Sequence, residues 1–101
     1  MTTLDIGNLV LVRGIDLFFD NASEQILKNI AKDLGGKSSY DLYEQKATYM
    51  LRNNVLVEVK KLGECHDLAN SLGEYFSKKY SCGFEASELY IRTKKPTLSI
   101  N

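Results

Sequence analysis

Three groups of side chains in this sequence have types and spacings that could do chemistry. Cys65-His66-Asp67 sets a thiol, an imidazole and a carboxylate in consecutive positions, which invites a nucleophile–base or metal-ligand reading. Asp16, Asp20 and Glu24 gather carboxylates at regular spacing near the start of the chain. Lys60-Lys61, Lys78-Lys79 and Arg92 with Lys94 and Lys95 supply the matching positive charge further on.

The first group loses its chemistry once it is placed on an element. Residues 65–80 read as a helix, and neighbours along a helix point apart. Cys82, the second cysteine, lies beyond the far end of that helix, so a tetrahedral metal site lacks ligands. The plainer roles are a cysteine padding a helix end and Asp67 complementing the helix dipole. No catalytic residue, metal or cofactor is therefore expected.

The carboxylate group makes the first 26 residues net negative, Asp5, Asp16, Asp20 and Glu24 standing against Arg13 alone. From Leu51 onward eight basic residues face six acidic ones, so the chain is dipolar although 13 basic and 13 acidic residues cancel overall. A zero net charge removes any global pull toward nucleic acid or an anionic membrane. Solvated loop charge accounts for the acidic cluster; the sharper reading is a docking patch for a basic partner protein.

The elements that must position these residues follow from periodicity. Residues 9–19 are rich in strand formers, with Arg13-Gly14 interrupting, and the continuous apolar run suits a central strand buried on both faces. Gly7-Asn8 before it would turn Thr3 to Ile6 back as a short extra strand. Residues 21–34 read as a helix. Asn21 suits the N-cap with Glu24 completing a capping box, Ile26, Leu27, Ile30 and Leu34 form the apolar stripe, and Gly35-Gly36 supply the left-handed stop. Residues 40–51 and 55–60 read as strands joined by a hairpin turn at Asn53-Asn54. Residues 65–80 form the second helix, Gly83 its stop, and residues 88–93 the last strand. Pro96 ends that strand, with Leu98 and Ile100 a further edge segment or tail.

A chain of 101 residues is one domain by length. The element order β-α-β-β-α-β then gives an α+β fold: a ferredoxin-like two-layer sandwich, a four-stranded antiparallel sheet with two helices on one face. Two families with this order fail on their residues. Acylphosphatases place a cation-bearing phosphate loop after the first strand, whereas here Asp20 follows the aromatic pair Phe18-Phe19 and would repel phosphate. RNA-recognition motifs stack bases on strand aromatics, and Val55-Leu56-Val57-Glu58-Val59-Lys60 has none. Nucleic acid is accordingly a disfavoured partner.

Six tyrosines and no tryptophan leave hydroxyls that want a surface or an interface. Tyr43, Tyr49 and Tyr90, if they share a sheet face left open by the helices, make a candidate contact surface. The reading that follows is a small cofactor-free protein-binding module, most simply an inhibitor that neutralises a partner, as immunity proteins for bacterial toxins, antitoxins and phage anti-defence proteins do. Its contact residues are Asp16, Asp20, Glu24, Tyr43, Tyr49 and Tyr90. The alternative is a homo-oligomeric module, a homodimer at its simplest, that binds a small ligand or nucleic acid between subunits. The longest apolar run at the start, Leu9-Val10-Leu11-Val12, falls far short of the ~20 residues a bilayer requires. The opening residues lack the basic start and apolar core of a secretory signal, so a cytoplasmic protein with no membrane partner is expected.

A helix of about 15 residues separates Cys65 from Cys82 by about 22 Å at its ordinary rise, whereas a disulfide needs Cα atoms within about 7 Å. Alkylation under denaturing, non-reducing conditions is expected to add two adducts by intact mass. Zero adducts would mean that the second helix is misplaced.

Overall fold

The computed structural model describes residues 9–93. The expected strand at Thr3 to Ile6 and the segment at Pro96, Leu98 and Ile100 lie outside the described residues. In chain order the elements are β1 (Leu9–Asp20), α1 (Glu24–Leu34), β2 (Lys37–Asp41), β3 (Lys46–Glu58), one turn of 3-10 helix (Val59–Lys61), α2 (Leu62–Tyr80) and β4 (Gly83–Thr93). The sheet order is β2-β3-β1-β4 with every neighbouring pair antiparallel. This is the ferredoxin-like α+β arrangement that the element order implies. α1 packs on β2 and β3, while α2 packs on β4 and β1.

β1 is central, as its apolar run suggests, but among the described residues only one of its faces is covered. Val10 and Val12 are buried in its first half and Leu17 and Phe19 in its second, so the buried face changes from even to odd positions. The change falls at Arg13-Gly14, where the pairing of β1 with both neighbours slips. One extra residue in a strand swaps its two faces, and here it lets both halves of β1 turn their apolar side to the helices. Gly14 has no room for a side chain, because a Cβ there would press into the Tyr49 carbonyl.

The hairpin turn lies elsewhere than its strongest sequence signal. β2 and β3 are joined through residues 42–45, where the Asp41 carboxylate accepts from the backbone N–H groups of Tyr43 and Glu44. Gln45 adopts the left-handed region at φ 54°. Its amide donates to the Ala22 carbonyl and accepts from the Ala22 N–H, tying the turn to the start of α1. Asn53 and Asn54 run on inside β3 instead. They fall where residues 51–54 of β3 stand against Arg13 alone, between the pairs Val12–Val55 and Gly14–Met50. The asparagines thus mark a bulge within one strand and not a turn between two.

α1 begins later than expected. Ser23 is its N-cap, its hydroxyl accepting from the Ile26 N–H at 3.2 Å, while Asn21 sits before it at φ 58°. Glu24 is therefore the first helical residue and closes no capping box. The Gly35-Gly36 stop is as expected, both residues having positive φ. α2 ends on Ser81 in the left-handed region, and Gly83 opens β4, which starts five residues before the expected strand.

The core gathers Leu17, Phe19, Leu27, Ile30, Ala47 and Phe76. Phe84 lies tilted against Phe19 at 5.7 Å between centroids and fills the space that a side chain at Gly73 of α2 would take. The buried Ser87 hydroxyl donates to Asn70 at 2.6 Å, a polar tie between β4 and α2.

Ile30→Ala removes a fully buried side chain and is expected to lower stability by about 2–5 kcal/mol. Lys32→Ala on the exposed face is expected to change it by less than about 0.5 kcal/mol. Gly73→Ala raises helix propensity yet forces the Phe84 ring to move, so a net loss of about 1–3 kcal/mol is expected. Urea titrations of the three variants check these, and a stabilised Gly73→Ala would contradict the packing.

Candidate functional site

The sheet's uncovered face is where chemistry-bearing residues meet. The alternation that sends Ile15, Leu17 and Phe19 toward the helices leaves Asp16 and Phe18 on the other side, with Thr48 and Lys46 beside them on β3. Asp16 accepts from the Thr48 hydroxyl at 2.7 Å and lies 3.9 Å from the Lys46 ammonium. Burial works against the Lys46 charge, but Asp16 and a hydrogen bond to Glu44 outweigh it and hold its pKa above the usual lysine value. The same ammonium lies 5.6 Å from the centre of the Phe18 ring, within cation–π range.

On the opposite flank of β1, Asp16 is the cross-strand partner of Glu88, and Gly14 is the partner of Tyr90. Arg13, Asp16, Glu88 and Tyr90 line a shallow depression of about 500 Å³. The Arg13 Nε–H is buried without a hydrogen-bond partner among the described residues. Sequence reasoning missed Arg13 and Glu88 as parts of this surface. The period-2 pattern of β4 carries a signal for Glu88, but which β1 residue it faces depends on the slip at Gly14, and no residue type announces that.

The remaining expected contact residues are not brought together. Asp20 is exposed at the end of β1, and Glu24 opens α1, where its carboxylate accepts from the Tyr40 hydroxyl at 3.2 Å. Tyr43 stands 95% exposed in the β2–β3 turn. Tyr49 is on the helix side of β3, its ring against Gly36. Tyr90 alone of the three tyrosines lies on the open face, so they form no common surface.

Cys65 lines an apolar groove between α2 and the sheet, whereas His66 lines a separate depression with Asp67. Among the described residues no group of three or more His, Cys, Asp or Glu side chains is placed to hold a metal, and no helix is long and apolar enough to cross a membrane. Burial raises the Cys82 thiol pKa, which keeps it protonated and unreactive near neutral pH.

One further titratable cluster joins the helices. Asp33 of α1 accepts from the Tyr80 hydroxyl and from the Lys79 ammonium of α2. The Tyr80 hydrogen bond, followed by that of Lys79, holds the Asp33 pKa below its ordinary 3.8. The same carboxylate holds Lys79 and Tyr80 above theirs. Lys79 also lies over the Tyr75 and Tyr80 rings. The cluster is a clamp between the two helices.

No family model matches this chain, and neither the curated proteins nor the solved structures searched contain a significant match to it.

The clamp generates a pH prediction. A carboxylate with a depressed folded pKa stabilises the fold above its unfolded pKa, and that contribution is lost as pH falls through the folded value. Lys79 and Tyr80, both raised, contribute below their unfolded values and lose the contribution as pH rises through the folded ones. The stability gap between wild type and Asp33→Asn is therefore expected to be widest near neutrality. It should narrow below about pH 4 and again above about pH 10. Urea midpoints at acid, neutral and alkaline pH check this, and a constant gap would dissolve the clamp.

Proposed function

We propose that this protein is a protein-binding module whose open sheet face takes a basic group of a partner, and that it acts by occluding that partner in the manner of a small inhibitor. The observation that carries the reading is the side-by-side placement of Asp16 and Glu88 on an uncovered face next to Tyr90. Like charges opposite each other across strands destabilise a sheet by up to about 1 kcal/mol. Asp16 is relieved by Thr48 and Lys46; Glu88 has no ion pair among the described residues. A lysine or arginine entering the depression would neutralise Glu88 while its aliphatic stem lies on the Tyr90 ring. A nucleic-acid backbone would meet the carboxylates first, which favours a protein over a polyanion.

What supports the inhibitor reading is the small size of the chain and charge held in patches. An immunity, antitoxin or anti-defence role is the form such a module most simply takes.

Affinity capture from the native host is the test. Wild-type protein is expected to retain one stoichiometric protein. With that partner in hand, Asp16→Asn together with Glu88→Gln should slow association several-fold at low salt and much less near ~0.5 M, because exposed charges act on the on-rate and are screened. Tyr90→Ala should speed dissociation with little dependence on salt. Capture of nucleic acid alone, or association untouched by the two carboxylate changes in a folded variant, would sink the reading.

A further inference from the structure

Past Met50, β3 loses its outer neighbour. β2 pairs with β3 only from Lys46 to Met50, and β3 continues to Glu58 held by β1 on its inner side alone. Among the described residues nothing pairs with the outer edge of residues 51–58. An edge of this kind offers unpaired N–H and C=O groups and is ordinarily blunted by Pro, Lys or short length. Residues 51–58 contain neither Pro nor Lys.

The surroundings of this edge are apolar. An almost wholly apolar groove of about 240 Å³ runs beside it on the helix side, lined by Val12, Leu51, Val55, Val57, Leu68 and Leu72. Leu68 is 73% exposed at the groove, and Val55 and Leu56 on the strand are 47% and 48% exposed. A free strand edge alongside an apolar groove is the arrangement that accepts an added strand, with main-chain hydrogen bonds for affinity and side-chain pockets for register.

The sequence of the edge matches itself. Antiparallel pairing of residues 52–58 with the same residues of another copy, about a two-fold axis through Val55, sets Arg52 opposite Glu58 at both ends. Val55 then meets Val55, and Asn54 meets Leu56. Both Arg52 and Glu58 are accessible, and among the described residues the ion pairs of Glu58 are with the exposed ammonium groups of Lys60 and Lys61, at 3.5 and 3.8 Å. Leu51, Val55 and Val57 all line the groove, so the bulge at 51–54 preserves which side chains face it. The second copy's Val55 and Val57 are thereby carried alongside the groove's open lip. Two-fold symmetry makes such a contact closed, with no free edge left to grow a fibre.

We propose that this protein forms a symmetric dimer through residues 52–58 of β3, joining two four-stranded sheets into one continuous eight-stranded sheet. The surface is distinct from the Asp16–Glu88–Tyr90 face, so the dimer stands or falls independently of the docking reading.

Sedimentation equilibrium over a range of concentrations tests it with four proteins: wild type, Arg52→Glu, Glu58→Arg and the double exchange. Wild type is expected to approach twice the chain mass. Each single change puts like charges opposite each other twice per dimer and should weaken association by about tenfold or more. The double exchange restores opposite charges in the same register and should restore the dimer. Far-UV circular dichroism and urea midpoints confirm that each variant is folded; all the changes are at accessible positions. A wild type that stays monomeric to about 1 mM overturns the proposal. A dimer indifferent to the single changes, or one that the double exchange fails to restore, overturns it equally.

Discussion

The fold depends on a slip of one residue in its central strand. β1 is hydrogen-bonded on both sides, so it cannot rotate to bring a buried face round; only an extra residue can do that. Without the irregularity at Arg13-Gly14, burying Leu17 and Phe19 would send Val10 and Val12 to solvent, or the reverse. The consequences spread sideways. β3 answers Arg13 with residues 51–54, and beyond that bulge it has no β2 beside it. β4 answers with a shift between Val12–Ile91 and Gly14–Tyr90, which sets Tyr90 across from a glycine and Glu88 across from Asp16. At the same place the Arg13 Nε–H is buried without a hydrogen-bond partner among the described residues. The facing of Tyr90 and Glu88 on β4 and the bulge in β3 both arise at that one irregularity.

That event explains what the sequence could and could not disclose. α1 is legible because its apolar stripe has a helical period and its end is two glycines. The element order is legible because apolar runs alternate cleanly with polar ones. β1 misleads, because a strand that changes face halfway has apolar residues at both parities and therefore reads as buried on both sides. The β2–β3 turn is built from Asp41 accepting two backbone N–H groups and Gln45 at positive φ. Asp-Leu-Tyr-Glu-Gln carries no glycine or proline to advertise it. Asn53-Asn54 carries the stronger turn signal and spends it on a bulge. An Asx turn and an Asn-rich bulge use the same local chemistry, a short polar side chain near its own backbone, and only long-range pairing separates them.

The candidate site divides the same way. Asp16 and Tyr90 were visible as types, a carboxylate and an aromatic at strand positions, and they do share the open face. Glu24 and Tyr49 have the same types but fall on the helix layer, Glu24 because Ser23 takes the cap and Tyr49 because it shares parity with the buried Ala47. Glu88 was visible as a residue and invisible as a neighbour. Strand parity decides the face, and parity can be read locally; pairing register decides who stands opposite, and register is a property of two distant segments.

The structure also has unequal ends, and this bears on where function can sit. At one end α1, α2 and β2 all contribute, and Leu17, Phe19, Ala22, Leu27, Ile30 and Ala47 form a shared core that the Asp33–Lys79–Tyr80 clamp closes from outside. At the other end β2 is absent, α1 does not reach, and the first half of β1 is covered by α2 with an apolar groove left between. Val55, Leu56, Leu68, Tyr90 and Ile91 are exposed there. Regions with few buried contacts open at lower free energy than the rest of a domain, and large exposed apolar groups gathered in one place point to a surface meant to be covered. The well-packed end supplies the rigidity, and the thinly covered end has the apolar groove and a strand edge with no neighbour among the described residues. A second copy that binds there gains apolar burial that folding alone left incomplete, which is why the proposed dimer contact falls on the half of the sheet that its own helices cover least.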